Sequence, residues 1–302
     1  MSFFDDPSQP APPGGPKAAP ESSSPVTYTE VSIQPPAQQP DPQAALPIDL
    51  RVPWGWKDLV YLILFVIGAL VFFEVALVIV AIAFFHVSSS QLTQATPTAI
   101  NISVIAQALA FLAMMGYFWV MVRVRHAGPF WQAIGWRPFH TGVNQPQLLR
   151  IFIQLGLGVG LAIAITPISI LISRNQPPLP IEKIIQTRGT YLLFMVYGIL
   201  IAPVVEETLF RGFLYPIVAR RFGLPAGVLV SGILFGMLHA SQLWGGWGSI
   251  GLIIGVGIVF SWVRARSKTV LASYLLHIAY NSTLFAFDVL VAHTLQNMPP
   301  GH

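Results

Sequence analysis

The chain has 302 residues, of which 54% are hydrophobic and only 9% charged, with a mean hydropathy of +0.65. An ordinary soluble domain carries roughly a quarter charged residues, so this composition excludes a water-soluble globule. There is no cysteine, which excludes disulfides, thiolate nucleophiles, Cys-ligated zinc and iron–sulfur clusters. Residues 1–58 hold seven acids and three bases, whereas the remainder holds thirteen bases and five acids: Glu74, Glu182, Glu206, Glu207 and Asp288. In so apolar a chain a basic excess reflects orientation in a bilayer, and no nucleic-acid partner is expected.

Residues 1–50 are rich in Pro, Ser, Gln and Ala. Such a segment cannot bury enough apolar surface to offset its ordering entropy and is expected to be a disordered cytoplasmic tail. It does not resemble a secretory signal, because the first long apolar run starts only near Leu59. From 51 to 302 the expectation is an all-α, polytopic transmembrane helical bundle. Apolar runs at about 59–85, 99–122, 151–172, 191–215, 227–243, 249–263 and 270–292 are long enough, or nearly so, to cross roughly 30 Å of hydrocarbon. That predicts about seven helices, or eight if the fourth run, broken by Pro203, divides.

Loops with Lys or Arg alternate with loops without them. Arg51 and Lys57 precede the first run; Arg123, Arg125, Arg137 and Arg150 follow the second; Arg220 and Arg221 follow the fourth; Arg264, Arg266 and Lys268 follow the sixth. The positive-inside rule then puts the N terminus in the cytoplasm. Loop 173–190 dissents, with Arg174, Lys183 and Arg188 on the side expected to be external; its prolines suggest an interfacial segment. Three small-xxx-small pairs, Gly156/Gly160, Gly232/Gly236 and Gly251/Gly255, would allow close helix approach. Trp54, Trp56, Trp244 and Trp247 read as aromatic-belt anchors, and Asp288 as interfacial.

An ionisable side chain in hydrocarbon costs several kcal/mol unless paired or hydrated, so each needs a reason. The fourth run reads Glu206-Glu207-Thr208-Leu209-Phe210-Arg211. Glu207 and Arg211 are i,i+4 with the acid N-terminal, the favourable order for an ion pair. Glu206 points about 100° away and is free to act as acid or base. Pro203 removes a backbone donor and favours a kink beside it. The fifth run ends Phe235-Gly236-Met237-Leu238-His239, and the seventh contains His277-Ile278-Ala279-Tyr280-Asn281. Each motif alone is compatible with ordinary interhelical packing. Their depths argue otherwise: Glu206 and His277 both fall roughly 11 Å from the cytoplasmic end of their helices, with His239 and Asn281 nearer 18 Å. Groups able to transfer protons, ligate a metal or hold an oxyanion thus share one slab of the membrane, the makeup of a hydrolytic site. Glu74, midway along the first run, carries a weaker claim. Because Glu and His in membrane segments also mark ion pathways, a proton-coupled transporter is one alternative. A non-catalytic membrane immunity or scaffold protein is another.

EETLFR, FGMLH and HIAYN resemble the EExxxR, FxxxH and HxxxN motifs of the CPBP family, the CAAX-protease and bacteriocin-processing (Rce1/Abi-type) intramembrane endopeptidases. The resemblance covers about residues 190–285. It implies a conical helical bundle that hydrolyses a peptide bond in a membrane-associated, CAAX-type protein or peptide, prenylated substrates included. Carried over, Glu206 and His239 would activate water, His277 and Asn281 would stabilise the oxyanion, and Glu207 with Arg211 would brace the site. The family is labelled metalloprotease, although a metal-free Glu/His-activated water has also been proposed. Glu206, His239 and His277 would be the ligands of zinc or another divalent metal, resembling the His₂Glu set of catalytic zinc enzymes. There is no HExxH, no serine-protease GxSG and no pair of intramembrane aspartates. With no organellar targeting peptide, a prokaryotic inner-membrane protein is expected.

Overall fold

In a computed structural model, residues 46–88, 91–92, 96–125, 129–139, 146–174, 176 and 188–296 are described. All of them belong to one unit, Pro42–His302. The expected tail, as far as residue 45, lies outside the described residues, as does most of loop 173–190.

The described residues form helices and no strands. In chain order they are α1 (Trp56–Phe85), α2 (Pro97–Arg125), the single turn α3 (Phe130–Ala133), α4 (Gln147–Ser173), the composite α5 starting at Arg188 and ending at Phe222, α6 (Leu224–Leu238), α7 (Trp247–Ser267) and α8 (Val270–Gln296). Six of these, α1, α2, α4, α5, α7 and α8, are long and apolar enough to cross a membrane; α6 is apolar but shorter. The seven apolar runs of the sequence thus become six spans and one short helix, with α3 as the eighth. This is an integral membrane protein.

The fifth run was expected to continue to 243, but α6 stops at Leu238. His239 is its last half-in residue, followed by turns to Gly245. The local reason is that the His239 ring, through Nδ1, bonds the Phe235 carbonyl (3.0 Å). It thereby satisfies one of the terminal carbonyls that a helix end leaves without an intrahelical donor.

α5 lies between two apolar clusters. On one side Phe213 and Ile217 pack with Trp54, Phe118 and Ile134; on the other Phe210 and Leu214 pack with Phe235, Phe260 and Leu276. Of the three small-residue pairs, only Gly232/Gly236 serves close approach. A β-carbon at Gly232 would lie 2.6 Å from Ile258 N, and one at Gly236 2.7 Å from Ile254 N, both on α7. The pairs on α4 and at Gly251/Gly255 face open space, and α4 instead meets α8 through Gly158, against the Leu276 backbone.

Loops expected on one side of the membrane meet at one end of the bundle. Arg264, at the end of α7, pairs with Asp49 (3.1 Å), and its guanidinium sits over the Tyr215 ring. Arg220 donates to the Val52 and Trp54 carbonyls. Thr269 donates to the Arg137 carbonyl (2.6 Å). Asp49 and Leu50 are buried here, so the folded bundle includes them. Trp54 is no belt anchor: it is 2% exposed, stacks on Phe213 at 5.6 Å and donates Nε1–H to the Phe213 carbonyl. Trp56, Trp244 and Trp247 are exposed, as expected of belt residues.

Candidate active site

The site is built on the irregular middle of α5. This helix proceeds as α (Arg188–Val196), π (Tyr197–Ile201), α (Ala202–Glu207), π (Thr208–Leu214) and α (Tyr215–Phe222). Pro203 explains the first π stretch. It has no N–H to donate, and the Ala202 N–H reaches back to the Tyr197 carbonyl, five residues away. The Gly198 carbonyl therefore loses both helical donors that could have served it. Asn281 of α8 supplies the replacement, its Nδ2 donating to Gly198 O at 2.8 Å. π-bulges of this kind recur at functional sites because they turn a wall of carbonyls and side chains out of regular register.

Glu207 and Arg211 are both 0% exposed and pair at 3.1 Å, as their i,i+4 spacing predicts. The other guanidinium nitrogen donates to the Gly257 carbonyl (2.7 Å), and the guanidinium lies 4.5 Å from the centre of the Phe235 ring. Paired in this way, Glu207 is an acceptor-only carboxylate. His277 Nδ1 lies 3.0 Å from the same Glu207 Oε1, so Nδ1 carries the proton and donates. That fixes the ring and turns Nε2 towards Glu206, whose Oε2 is 3.8 Å away. Rings of Phe235 and Phe260 hold the imidazole at centroid distances of 5.6 and 4.6 Å. The His239 ring also packs on Phe235, at 5.0 Å. Its Nδ1 donates to a backbone carbonyl, which leaves Nε2 as the free ring atom.

Glu206, His239, His277 and Asn281 all line one cavity of about 320 Å³. Glu206 is 7% and His277 3% exposed, so the polar groups sit in a largely apolar pocket where charge interactions are strong. Glu207 and Arg211 do not line it; they stand behind the wall, Glu207 against His277 and Arg211 against the Phe235 and Phe260 rings. The two neighbouring glutamates are thus separated by one step of helical rotation into a cavity face and a buried face.

Asn281 spends one amide hydrogen on Gly198 and keeps the second. Glu74 lies elsewhere, accepting from Ser103 of α2 (2.9 Å). Sequence reasoning missed Gly198, whose carbonyl positions Asn281; the helix-breaking Pro203 five residues later was the available signal. It also missed Gly257, the acceptor for Arg211, for which no local signal exists. Asp288, read as interfacial, lines the same cavity.

The donor set expected of a zinc enzyme is only partly assembled. The Glu207–His277 bond is the kind of outer support that orients a ligating imidazole. Yet among the described residues no three His, Asp or Glu side chains converge on a common metal position.

No curated protein and no solved structure matches the chain. Residues 188–283 match the family described as type II CAAX prenyl endopeptidase Rce1-like, a stretch that begins with α5 and ends within α8, after Asn281. The matched stretch carries Glu206, His239, His277 and Asn281 of the cavity wall.

Proposed function

We propose that the protein is an intramembrane endopeptidase that hydrolyses a peptide bond in a membrane-associated, CAAX-type protein or peptide. The observation that carries this reading is the single cavity shared by Glu206, His239, His277 and Asn281, with the Glu207–Arg211 pair buried behind it.

In this reading a water in the cavity is held between the Glu206 carboxylate and the unprotonated Nε2 of His239. Glu206 takes a proton as the water oxygen bonds to the scissile carbonyl carbon. The carbonyl oxygen becomes an oxyanion. The second amide hydrogen of Asn281 and Nε2–H of a protonated His277 face it, the imidazolium being countered by Glu207 through Nδ1. Collapse of the tetrahedral intermediate breaks the C–N bond, and Glu206 returns its proton to the departing amine. Glu207 and Arg211 position His277 and touch no reacting atom. The Lys and Arg distribution supports a cytoplasmic N terminus, and we place the protein in a prokaryotic cell membrane.

The test is a cleavage assay on purified protein with matched prenylated and unprenylated peptides, with and without a chelator. Glu206→Gln and His239→Ala should each lower turnover by about 10²-fold or more with the melting profile of the parent. Full activity in either variant would remove the assignment. Loss of activity on chelation, restored by a divalent ion, would replace the metal-free water with a metal-bound one.

A further inference from the structure

The cavity does not end at the catalytic layer. Its wall on α8 includes His277, Asn281, Leu284 with its neighbour Phe285, and Asp288, which recur at three- or four-residue steps and therefore stack along the helix axis. Tyr191, Phe194, Gly198, Ala202 and Glu206 form the facing stripe on α5. At roughly 1.5 Å per residue, Asp288 stands about 16 Å from His277 and about 10 Å from Asn281 along the axis.

The far end differs in chemistry from the catalytic end. Asp288 is exposed and contributes a carboxylate to the wall. Around it Tyr191 and Phe194 stand edge-on to Phe285, at centroid distances of 6.0 and 6.1 Å, and the Tyr191 hydroxyl donates to the Phe285 carbonyl. Among the described residues, no basic side chain pairs with Asp288. A carboxylate without a counter-ion, set among aromatic faces, attracts a cation through its charge and through the ring quadrupoles. An acidic group in the same place would be repelled.

We infer that this far end, Asp288 with Tyr191, Phe194 and Phe285, is a specificity subsite for a Lys or Arg side chain of the substrate, about three to five residues from the scissile bond. The spacing follows from an extended chain, which advances about 3.3 Å per residue over the 10–16 Å between the catalytic layer and Asp288. The inference rests on the endopeptidase reading and deepens it by naming the substrate class.

The experiment scans a single Lys through an otherwise neutral peptide, with Gln at the same positions as control. Wild-type protein and the variants Asp288→Asn and Asp288→Lys are compared in a maltoside detergent and in phosphatidylcholine nanodiscs. In wild type, Lys at one register should raise kcat/KM over Gln by about tenfold through KM, in keeping with a partly exposed charge and cation–π pair. Asp288→Asn should erase that ratio, and Asp288→Lys should invert it towards a Glu-bearing peptide. Equal cleavage of Lys and Gln peptides at every register, or a ratio that survives Asp288→Asn, overturns the inference and leaves the endopeptidase reading standing. A preference present in detergent but lost in phosphatidylcholine overturns it in favour of a lipid ammonium headgroup. Cleavage of no peptide by wild type overturns the endopeptidase reading and this inference with it.

Discussion

Removing both charges of the Arg211–Glu207 pair should cost less than the two single removals added together. In Arg211→Met the fully buried Glu207 keeps its negative charge without its cation, and breaking a buried pair from one side costs about 3–5 kcal/mol. The Gly257 carbonyl also loses its 2.7 Å donor but keeps the Ser261 hydroxyl at 2.9 Å, so the broken ion pair dominates the loss. Glu207→Gln leaves the converse, a guanidinium at 0% exposure facing a neutral amide, and should cost a similar 3–5 kcal/mol. The double variant removes both charges and should be more stable than the sum of the singles predicts, by about 2–3 kcal/mol of coupling. Activity should not follow stability. Without the Glu207 carboxylate, His277 loses the acceptor at 3.0 Å that fixes its ring, so the double variant should fold yet cleave poorly. The assay is thermal or denaturant unfolding of detergent-solubilised protein, followed by tryptophan fluorescence, beside turnover on one peptide. Additive single-variant losses, or a double variant that regains stability and activity together, would refute the reasoning.

Two further outcomes test how the site is held. Gly236→Val drives a side chain into the α7 backbone, where a β-carbon would already lie 2.7 Å from Ile254 N; overpacking of this kind costs about 1–3 kcal/mol or more, whereas Gly255→Ala, facing open space, should be nearly neutral on the same unfolding curve. Asp49→Asn strands the buried Arg264 guanidinium and should lower stability by about 3 kcal/mol, with partial recovery in Asp49→Asn combined with Arg264→Met.

Much of the site was legible because its grammar is local. The i,i+4 spacing of Glu207 and Arg211 encodes their ion pair, and the adjacency of Glu206 and Glu207 forces them to different helix faces, one wet and one buried. The same spacing rule puts His277 and Asn281 on one stripe. The rest lay outside that grammar. His239 ends its helix and does not stand mid-span, because a ring nitrogen bonding the carbonyl four residues earlier looks, in sequence, like an ordinary i,i+4 helix pair. Trp54 reads as a membrane-surface anchor until Phe213, distant in the chain, stacks on it. Asp288 reads as interfacial until α5 lies opposite and makes it part of a cavity wall.

Sequence alone determined that this chain lives in a membrane, that its helices number about seven or eight, and which few ionisable groups the hydrocarbon tolerates. Those conclusions follow from composition and helical period, which need no knowledge of neighbours. Only the tertiary structure decided which polar groups meet. The Glu207–His277 bond, the capture of the Gly198 carbonyl by Asn281 and the Asp49–Arg264 pair each join residues far apart in the chain. Such bonds arise where helix packing leaves a buried donor or acceptor unpaired, and no local pattern records the partner that will satisfy it.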